Sequence, residues 1–160
     1  MNSSSTLPTE SRRGLLLGLP RLLLVEDDDE LRRSLEKLLA RDGYEVVAVG
    51  SGLSALDELD STRALDRLDP EFDVVVSDVH LPGVSGIHLA HSIATKYGRS
   101  KTILMTSFPT SEVVDEAVRL GVALISKPFH PEFFRRIVLA TIESEGSGTL
   151  SGTPYEAEDP

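Results

Sequence analysis

Short apolar runs alternate with amphipathic stretches five times along the middle of the chain. The runs are four or five residues long and apolar at most positions, which is typical of strands buried on both faces of a parallel sheet. They cover residues 22–25, 45–49, 73–77, 102–105 and 123–126. We therefore predict five strands at these positions.

The stretches that follow these runs carry apolar residues at helical spacing, and most of them end at a glycine. The first predicted helix has an apolar face formed by Leu31, Leu35, Leu38 and Leu39, and it ends at Asp42-Gly43. The second predicted helix starts near Ser51-Gly52. Its apolar face is formed by Leu53, Leu56 and Leu59, with Leu65 and Leu68 further along the chain. The third covers about 87–97 and ends at Gly98; the fourth runs from a Ser111 cap to Leu120 and ends at Gly121; the fifth begins at Pro131 and buries Phe133, Phe134, Ile137 and Val138.

Regular alternation of strands and helices implies parallel strands joined by helical crossovers. The sequence therefore predicts an α/β fold, a doubly wound sheet with helices on both faces, in three α/β/α layers. We expect one domain over 20–143. The ends, 1–19 and 144–160, are rich in Ser, Thr, Gly, Pro and charged residues without periodicity, so we expect flexible tails there.

Composition excludes several classes of function. The 160 residues carry 26 acidic and 16 basic side chains, a formal charge of −10, which argues against nucleic acid as a partner. The absence of cysteine excludes disulfides, thiolate nucleophiles and cysteine-based metal sites. Apolar runs are too short for a membrane span, and the stretch after Arg12-Arg13 lacks a signal-peptide cleavage site. We expect a soluble, cytoplasmic protein without a membrane partner.

Polar residues whose side chains can bind ligands or react follow four of the predicted strands. Glu26 and Asp27 follow the first strand, Asp78 the third, Thr106 the fourth and Lys127 the fifth. Because the carboxyl ends of parallel strands meet at one edge of a sheet, we expect three carboxylates, a hydroxyl and an ammonium to converge there.

Each of these residues also has an ordinary structural explanation. The acids that follow Asp27, Asp28 to Glu30, are placed to cap a helix and to interact with its dipole. A single Asp such as Asp78 is common in turns, Thr106 suits a strand, and a Lys before Pro is often a surface residue. Together, however, packed carboxylates repel one another unless a cation joins them, and Mg²⁺ (or Mn²⁺) prefers such oxygen ligands. A carboxylate beside a metal, a hydroxyl and a lysine is equipped to accept a phosphoryl group.

Four segments at these strand ends resemble the receiver domain of two-component response regulators. They are Leu-Leu-Val-Glu-Asp-Asp at 23–28, Ser-Asp-Val-His-Leu-Pro-Gly-Val-Ser-Gly at 77–86, Leu-Met-Thr-Ser at 104–107 and Ser-Lys-Pro-Phe at 126–129. The resemblance extends over roughly 20–143 and implies a flavodoxin-like fold with strand order 2-1-3-4-5 and five helices.

The resemblance also implies a role for each site residue. Asp78 would accept a phosphoryl group from a histidine kinase or a histidine phosphotransfer protein. The metal would be held by Glu26, Asp27, Asp78 and the backbone carbonyl of His80. Thr106 would be the switch hydroxyl and Lys127 would bind the phosphoryl group. Three further residues would shape the site: Pro128, through a cis peptide bond with Lys127, and Pro82 and Gly86, in the loop after Asp78.

The sequence departs from the family pattern at several positions. Leu124 occupies the place where receivers commonly carry an aromatic residue that moves on activation. His80 and Phe108 occupy positions at which side chains tune the lifetime of the phosphoryl group. The stretch from Leu59 to Phe72 is longer than usual, and no output domain is recognisable after the fifth helix.

These features lead to a principal hypothesis and two alternatives. The principal hypothesis is a stand-alone receiver that switches protein–protein interactions through the face formed by the fourth helix, fifth strand and fifth helix. This receiver would catalyse only its own phosphorylation and dephosphorylation, so we expect it not to be an enzyme in the usual sense. It would be a monomer or a phosphorylation-dependent dimer, or would relay the phosphoryl group. One alternative is a pseudo-receiver that binds partners without phosphorylation, which the Leu124 departure favours. The other is a Mg²⁺-dependent phosphatase with an aspartyl nucleophile, which His80 disfavours because such enzymes usually carry an acid there.

Overall fold

A computed structural model describes residues 18–63, 72–97 and 100–144 of the chain. Within them lies one parallel sheet of five strands in the order β2-β1-β3-β4-β5. The strands are β1 (Arg21–Val25), β2 (Glu45–Val49), β3 (Val74–Asp78), β4 (Lys101–Thr106) and β5 (Ala123–Ser126). Sheet, strand positions and strand order confirm the predicted flavodoxin-like, doubly wound fold. The predicted bounds of β3 and β4 stop one residue short, because Asp78 and Thr106 are themselves the last residues of their strands.

Five helices connect and follow the strands. They are α1 (Asp29–Arg41), α2 (Gly52–Arg63), α3 (Gly86–Lys96), α4 (Ser111–Leu120) and α5 (Pro131–Glu143). Gly121 ends α4 in the left-handed conformation, and Pro131 opens α5, both as predicted. In the described part of the chain, no helix is both long enough and apolar enough to cross a membrane.

Two local predictions were wrong. The cap of α4 is Thr110 rather than Ser111: Thr110 has an extended backbone and its hydroxyl accepts from the N–H of Val113, while Ser111 is already helical. Leu53 is 62% exposed, since α2 packs through Ala55 and Leu59 instead. Some predictions lie outside the described residues: Leu65, Leu68 and Gly98, most of the long stretch after Leu59, and nearly all of both tails.

Alternating strand residues fill a core on each face of the sheet. On one face, α1 and α5 cover residues that include Leu22, Leu24, Val74, Val76, Ile103 and Met105. On the other face, Leu23, Val25 and Val75 pack against α2 and α3, while Leu104 and Leu124 pack against α3 and α4. Because both faces are covered by helices, the strand ends are the part of the sheet open to ligand chemistry.

The loop after β3 passes very close to the strand at Gly86. The Gly86 N–H donates to the carbonyl of Val79 at 3.0 Å, and a Cβ added to Gly86 would lie 2.0 Å from the carbonyl oxygen of Asp78. Any side chain at this position therefore pushes the first turn of α3 away from the end of β3.

We predict that Gly86→Ala lowers the free energy of unfolding by about 3 kcal/mol, because the added methyl group overlaps backbone atoms that cannot move aside. Urea denaturation measures the change. The control is Gly83→Ala in the same loop, where φ is 76° and a Cβ would meet nothing within 4 Å. Only left-handed strain of about 1 kcal/mol is expected there. A smaller loss for Gly86→Ala than for Gly83→Ala would contradict this account.

Candidate functional site

Three carboxylates meet at the carboxyl edge of the sheet because β1 and β3 are neighbours. The register pairs Val25 with Ser77, so the next residues, Glu26 and Asp78, stand side by side. Glu26, Asp27 and Asp78 each offer an oxygen within 4.8 Å of the others. Glu26 is 1% exposed and Asp78 7%, whereas Asp27 is exposed. The predicted convergence of the three acids is therefore present in the structure.

Lys127, which directly follows the edge strand β5, reaches the same carboxylates. Its Nζ donates to Oε2 of Glu26 at 2.8 Å and to Oδ2 of Asp78 at 2.7 Å. Its backbone N–H donates to the carbonyl of Thr106 at 2.8 Å, which ties the start of the loop after β5 to β4. The following bond, Lys127–Pro128, is cis, as the resemblance implied. A long side chain is needed here because β4 lies between β5 and β3.

The second oxygen of Asp78 is held by the loop that follows it. Oδ1 accepts from the backbone N–H of His80 at 3.0 Å. Gly86 closes this loop against Asp78, and Pro82 lies exposed at its turn, beside Gly83. The role of the His80 carbonyl as a metal ligand stays a prediction.

Thr106 is fully buried at the end of β4. Its hydroxyl oxygen accepts from the N–H of Phe108 at 3.0 Å. A hydroxyl also has a proton to donate, so this bond leaves Thr106 able to donate to another group. Phe108 is 67% exposed, and its ring meets that of His80 edge to face, with centroids 5.9 Å apart.

Leu124 is buried between the sheet and the helices α3 and α4. It packs in a cluster with Val79, Ala90, Leu104 and Ala117. The position at which receivers commonly carry a mobile aromatic residue is thus part of the core in this chain.

Burial and charge oppose one another in the pocket. Burial raises the pKa of Glu26 above its ordinary value of 4.5, although the hydrogen bonds from Lys127 and from the N–H of Asp28 lower it. Burial lowers the pKa of Lys127, but its hydrogen bonds to Asp78 and Glu26 outweigh burial and raise this pKa above 10.5. Three carboxylates face one ammonium, so negative charge is in excess. Oxygen donors with excess negative charge suit a hard divalent cation such as Mg²⁺ or Mn²⁺.

The acids after Asp27 belong to the start of α1. Asp28 is the N-cap of α1, with its side chain accepting from the N–H of Leu31 at 2.7 Å, and Asp29 and Glu30 lie in the first turn. The capping interpretation therefore holds for Asp28.

One residue next to the pocket is not predicted by the sequence. Arg32 donates through Nη1 to the backbone carbonyl of Glu26 at 2.8 Å. Its spacing from Asp29, three positions along α1, is a recognisable ion-pair signal. That spacing gives no indication of the bond to Glu26, which depends on how the loop after β1 folds back.

The fold and the site together define a class: a doubly wound, flavodoxin-like α/β protein with an acidic pocket at the carboxyl edge of its sheet. Residues 22–139 match the family model of the response regulator receiver domain. The chain belongs to this family of two-component signalling domains, which confirms the resemblance. Receiver domains bind Mg²⁺ at an acidic pocket and interact with histidine kinases or phosphotransfer proteins.

Individual relatives agree with this assignment. The chain is 35% identical over 134 residues to the response regulator protein FleR of Pseudomonas aeruginosa, an alignment that covers 83% of the chain and 26% of FleR. It is 30% identical to the non-phosphorylated HemR receiver domain of Leptospira biflexa, with a TM-score of 0.65, covering 81% of this chain and 98% of that one. A CheY-like receiver domain of Methanospirillum hungatei shares the fold, with a TM-score of 0.67 and 24% identity over 78% of this chain and 94% of its own. The chain therefore spans about a quarter of the length of FleR.

We predict that Glu26→Gln raises the free energy of unfolding of the metal-free protein at neutral pH. Because its folded-state pKa is raised, Glu26 binds a proton more tightly in the folded than in the unfolded chain, and stability falls as the pH rises from 4.5 through the folded pKa. The neutral variant lacks this fall. Urea unfolding in EDTA across this pH range measures it.

The control for this prediction is Glu30→Gln, at an exposed carboxylate in the first turn of α1, which is expected not to gain stability. If Glu26→Gln is instead less stable than wild type at neutral pH, the ion pair with Lys127 outweighs the cost of burial and the account of the pocket is wrong.

Proposed function

We propose that this receiver accepts a phosphoryl group on Asp78 from a histidine kinase or a histidine phosphotransfer protein, with Mg²⁺ (or Mn²⁺) bound. One observation carries the proposal: Lys127 bonds Asp78 and Glu26 within a pocket of three converging carboxylates. Asp78 is buried yet belongs to this open edge of the sheet, beside an ammonium that can bind phosphoryl oxygens.

The transfer is an in-line displacement at phosphorus. A carboxylate oxygen of Asp78 forms the new P–O bond while the P–N bond to the donor histidine breaks, and the imidazole leaves with the bonding electron pair. Lys127 binds the transferred group and neutralises part of its charge. Glu26, Asp27 and Asp78, with the His80 carbonyl, would hold the cation, which supplies further charge neutralisation when bound.

The proposed output is a change in protein–protein interactions. In this structure the hydroxyl of Thr106 accepts a hydrogen bond from the N–H of Phe108, at the start of the loop to α4. A phosphoryl group on Asp78 would offer oxygen acceptors to the proton of this hydroxyl. Movement of Thr106 therefore biases this loop and the face formed by α4, β5 and α5. Because Leu124 is buried and aliphatic, we propose that the switch works without an aromatic rotamer at that position.

We also propose the bounds, location, activity and partners of the domain. The domain covers 20–143, works in the cytoplasm, and catalyses nothing beyond its own phosphorylation and slow dephosphorylation. Neither nucleic acid nor membrane is a partner of this domain. Phosphorylation leaves it monomeric or makes it a dimer.

A pseudo-receiver that binds partners without phosphorylation is the second candidate, and the buried Leu124 is the observation that favours it. Beryllofluoride, which mimics a phosphoryl group, distinguishes the two candidates. The principal proposal expects partner affinity to change when Mg²⁺ and beryllofluoride are added, and the alternative expects it to stay the same.

We predict that a small acyl phosphate with Mg²⁺ labels wild type and leaves Asp78→Asn unlabelled. The amide is a poor nucleophile and keeps nearly the same shape, so loss of label reports chemistry rather than folding. Intact-protein mass measures the uptake, with EDTA as a second control. Equal uptake by Asp78→Asn would place the reaction elsewhere.

We predict that Thr106→Val still takes up the phosphoryl group but loses the conformational response. The valine preserves volume at a buried site and removes the donor and acceptor. Amide chemical shifts of α4, with and without Mg²⁺ and beryllofluoride, measure the response. The matched control is Thr102→Val, a buried threonine earlier on β4, which should respond like wild type. A full response in Thr106→Val would remove Thr106 from the switch.

A further inference from the structure

The guanidinium of Arg32 ties the loop after β1 to the first turn of α1. Nη1 donates to the carbonyl oxygen of Glu26 at 2.8 Å, and Nη2 donates to Oδ1 of Asp29 at 2.5 Å. The Arg32 side chain is only 19% exposed, although it carries a full charge. An arginine that is largely buried and bonds through two nitrogens is fixed in orientation.

Arg32 completes the set of bonds that holds Glu26. The Glu26 N–H donates to the carbonyl of Val49 at 3.1 Å, and its carboxylate accepts from the N–H of Asp28 and from Lys127. The carbonyl of Glu26 is bonded by Arg32. Since a peptide unit is planar, fixing this carbonyl also fixes the plane that leads into Asp27.

The direction of the Asp27 side chain follows from this plane. Its carboxylate is exposed, yet it offers an oxygen within 4.8 Å of those of Glu26 and Asp78. Its direction is therefore set by the backbone on either side, which Arg32 fixes before it and the Asp28 N-cap fixes after it.

Gly50 leaves room for the guanidinium. A Cβ at Gly50 would lie 3.2 Å from Nη1 of Arg32 and 3.6 Å from its Cζ. Gly50 directly follows Val49, whose carbonyl receives the Glu26 N–H. The chain at the end of β2 thus bounds the space in which Arg32 lies.

We infer that Arg32 is a positioning residue for the divalent cation: it holds the Glu26–Asp27 peptide so that the Asp27 carboxylate faces those of Glu26 and Asp78. This inference deepens the proposed function and rests on its metal site. Arg32 donates its hydrogen bonds to the backbone carbonyl of Glu26 and to Asp29, not to any of the three carboxylates, so it acts through the backbone of Glu26.

Charge and positioning predict opposite effects, which makes the inference testable. If Arg32 acted only as a nearby positive charge, removing that charge would tighten the binding of a cation. If it orients Asp27, removing it weakens binding, and partners that orient metal ligands typically change metal affinity about 10- to 100-fold.

The experiment is calorimetric titration of the full chain with Mg²⁺ and Mn²⁺ alone. We expect Arg32→Met to bind about tenfold more weakly than wild type. We expect Arg32→Lys to lose affinity too, since one ammonium keeps the charge but lacks the fork that joins Glu26 to Asp29. The matched control is Arg33→Met, an exposed neighbour with the same change of charge, which should bind within about twofold of wild type. Unchanged or tighter binding by Arg32→Met would overturn the inference.

A second readout separates positioning from general loss of structure. Hydrogen exchange of the Asp28 N–H, which donates to Oε1 of Glu26, is measured in metal-free protein, alongside urea unfolding in EDTA. We expect faster exchange at this amide in Arg32→Met while amides of β4 and β5 keep wild-type rates. Should Arg32→Met not fold, Arg32→Lys decides: binding equal to wild type would overturn the inference.

Failure of this inference and failure of the proposed function give different results. Metal binding by wild type without labelling of Asp78 would end the phosphorylation proposal and leave the role of Arg32 standing. Labelling of Asp78 together with equal metal binding by wild type and Arg32→Met would overturn the role of Arg32 and leave the phosphorylation proposal standing. A wild type that binds neither Mg²⁺ nor Mn²⁺ would overturn both.

Discussion

The ammonium of Lys127 joins two buried carboxylates that would otherwise repel one another, and the geometry of the pocket depends on this contact. The pairing of β1 with β3 places Glu26 and Asp78 side by side, and the side chain of Lys127 extends past β4 to bond both. Its charge offsets only part of theirs, so burial still raises the pKa of Glu26. The pocket therefore keeps an excess of negative charge among its oxygen donors, which suits a hard divalent cation.

The rest of the fold keeps these groups in place. The parallel register determines which residues stand side by side at the strand ends, and helices on both faces leave that edge for chemistry. Gly86 lets the next helix begin against the backbone of Asp78, and the hydrogen bond that the N–H of Phe108 donates to the hydroxyl of Thr106 connects the end of β4 to the loop before α4. These contacts are the basis on which we propose that phosphorylation of Asp78 changes the loop before α4.

Much of this arrangement could be predicted from the sequence because the strands are short, apolar and separated by clear helical patterns. Once the strands are placed, Glu26, Asp78, Thr106 and Lys127 must share one edge. The finer features could not be predicted: adjacent hydroxyl residues made Ser111 as plausible a cap as Thr110, and the exposure of Leu53 depends on how α2 packs. The bond from Arg32 to Glu26 depends on the path of a loop, which local spacing does not determine.

The most direct test of the account is a crystal structure of the protein with Mg²⁺ and beryllofluoride. We expect beryllium bonded to a carboxylate oxygen of Asp78, with Lys127 and Thr106 in contact with its fluorines. We expect the metal to be held by Glu26, Asp27, Asp78 and the carbonyl of His80. Beryllofluoride at another residue, or a pocket still closed by Lys127 between Glu26 and Asp78, would contradict the account.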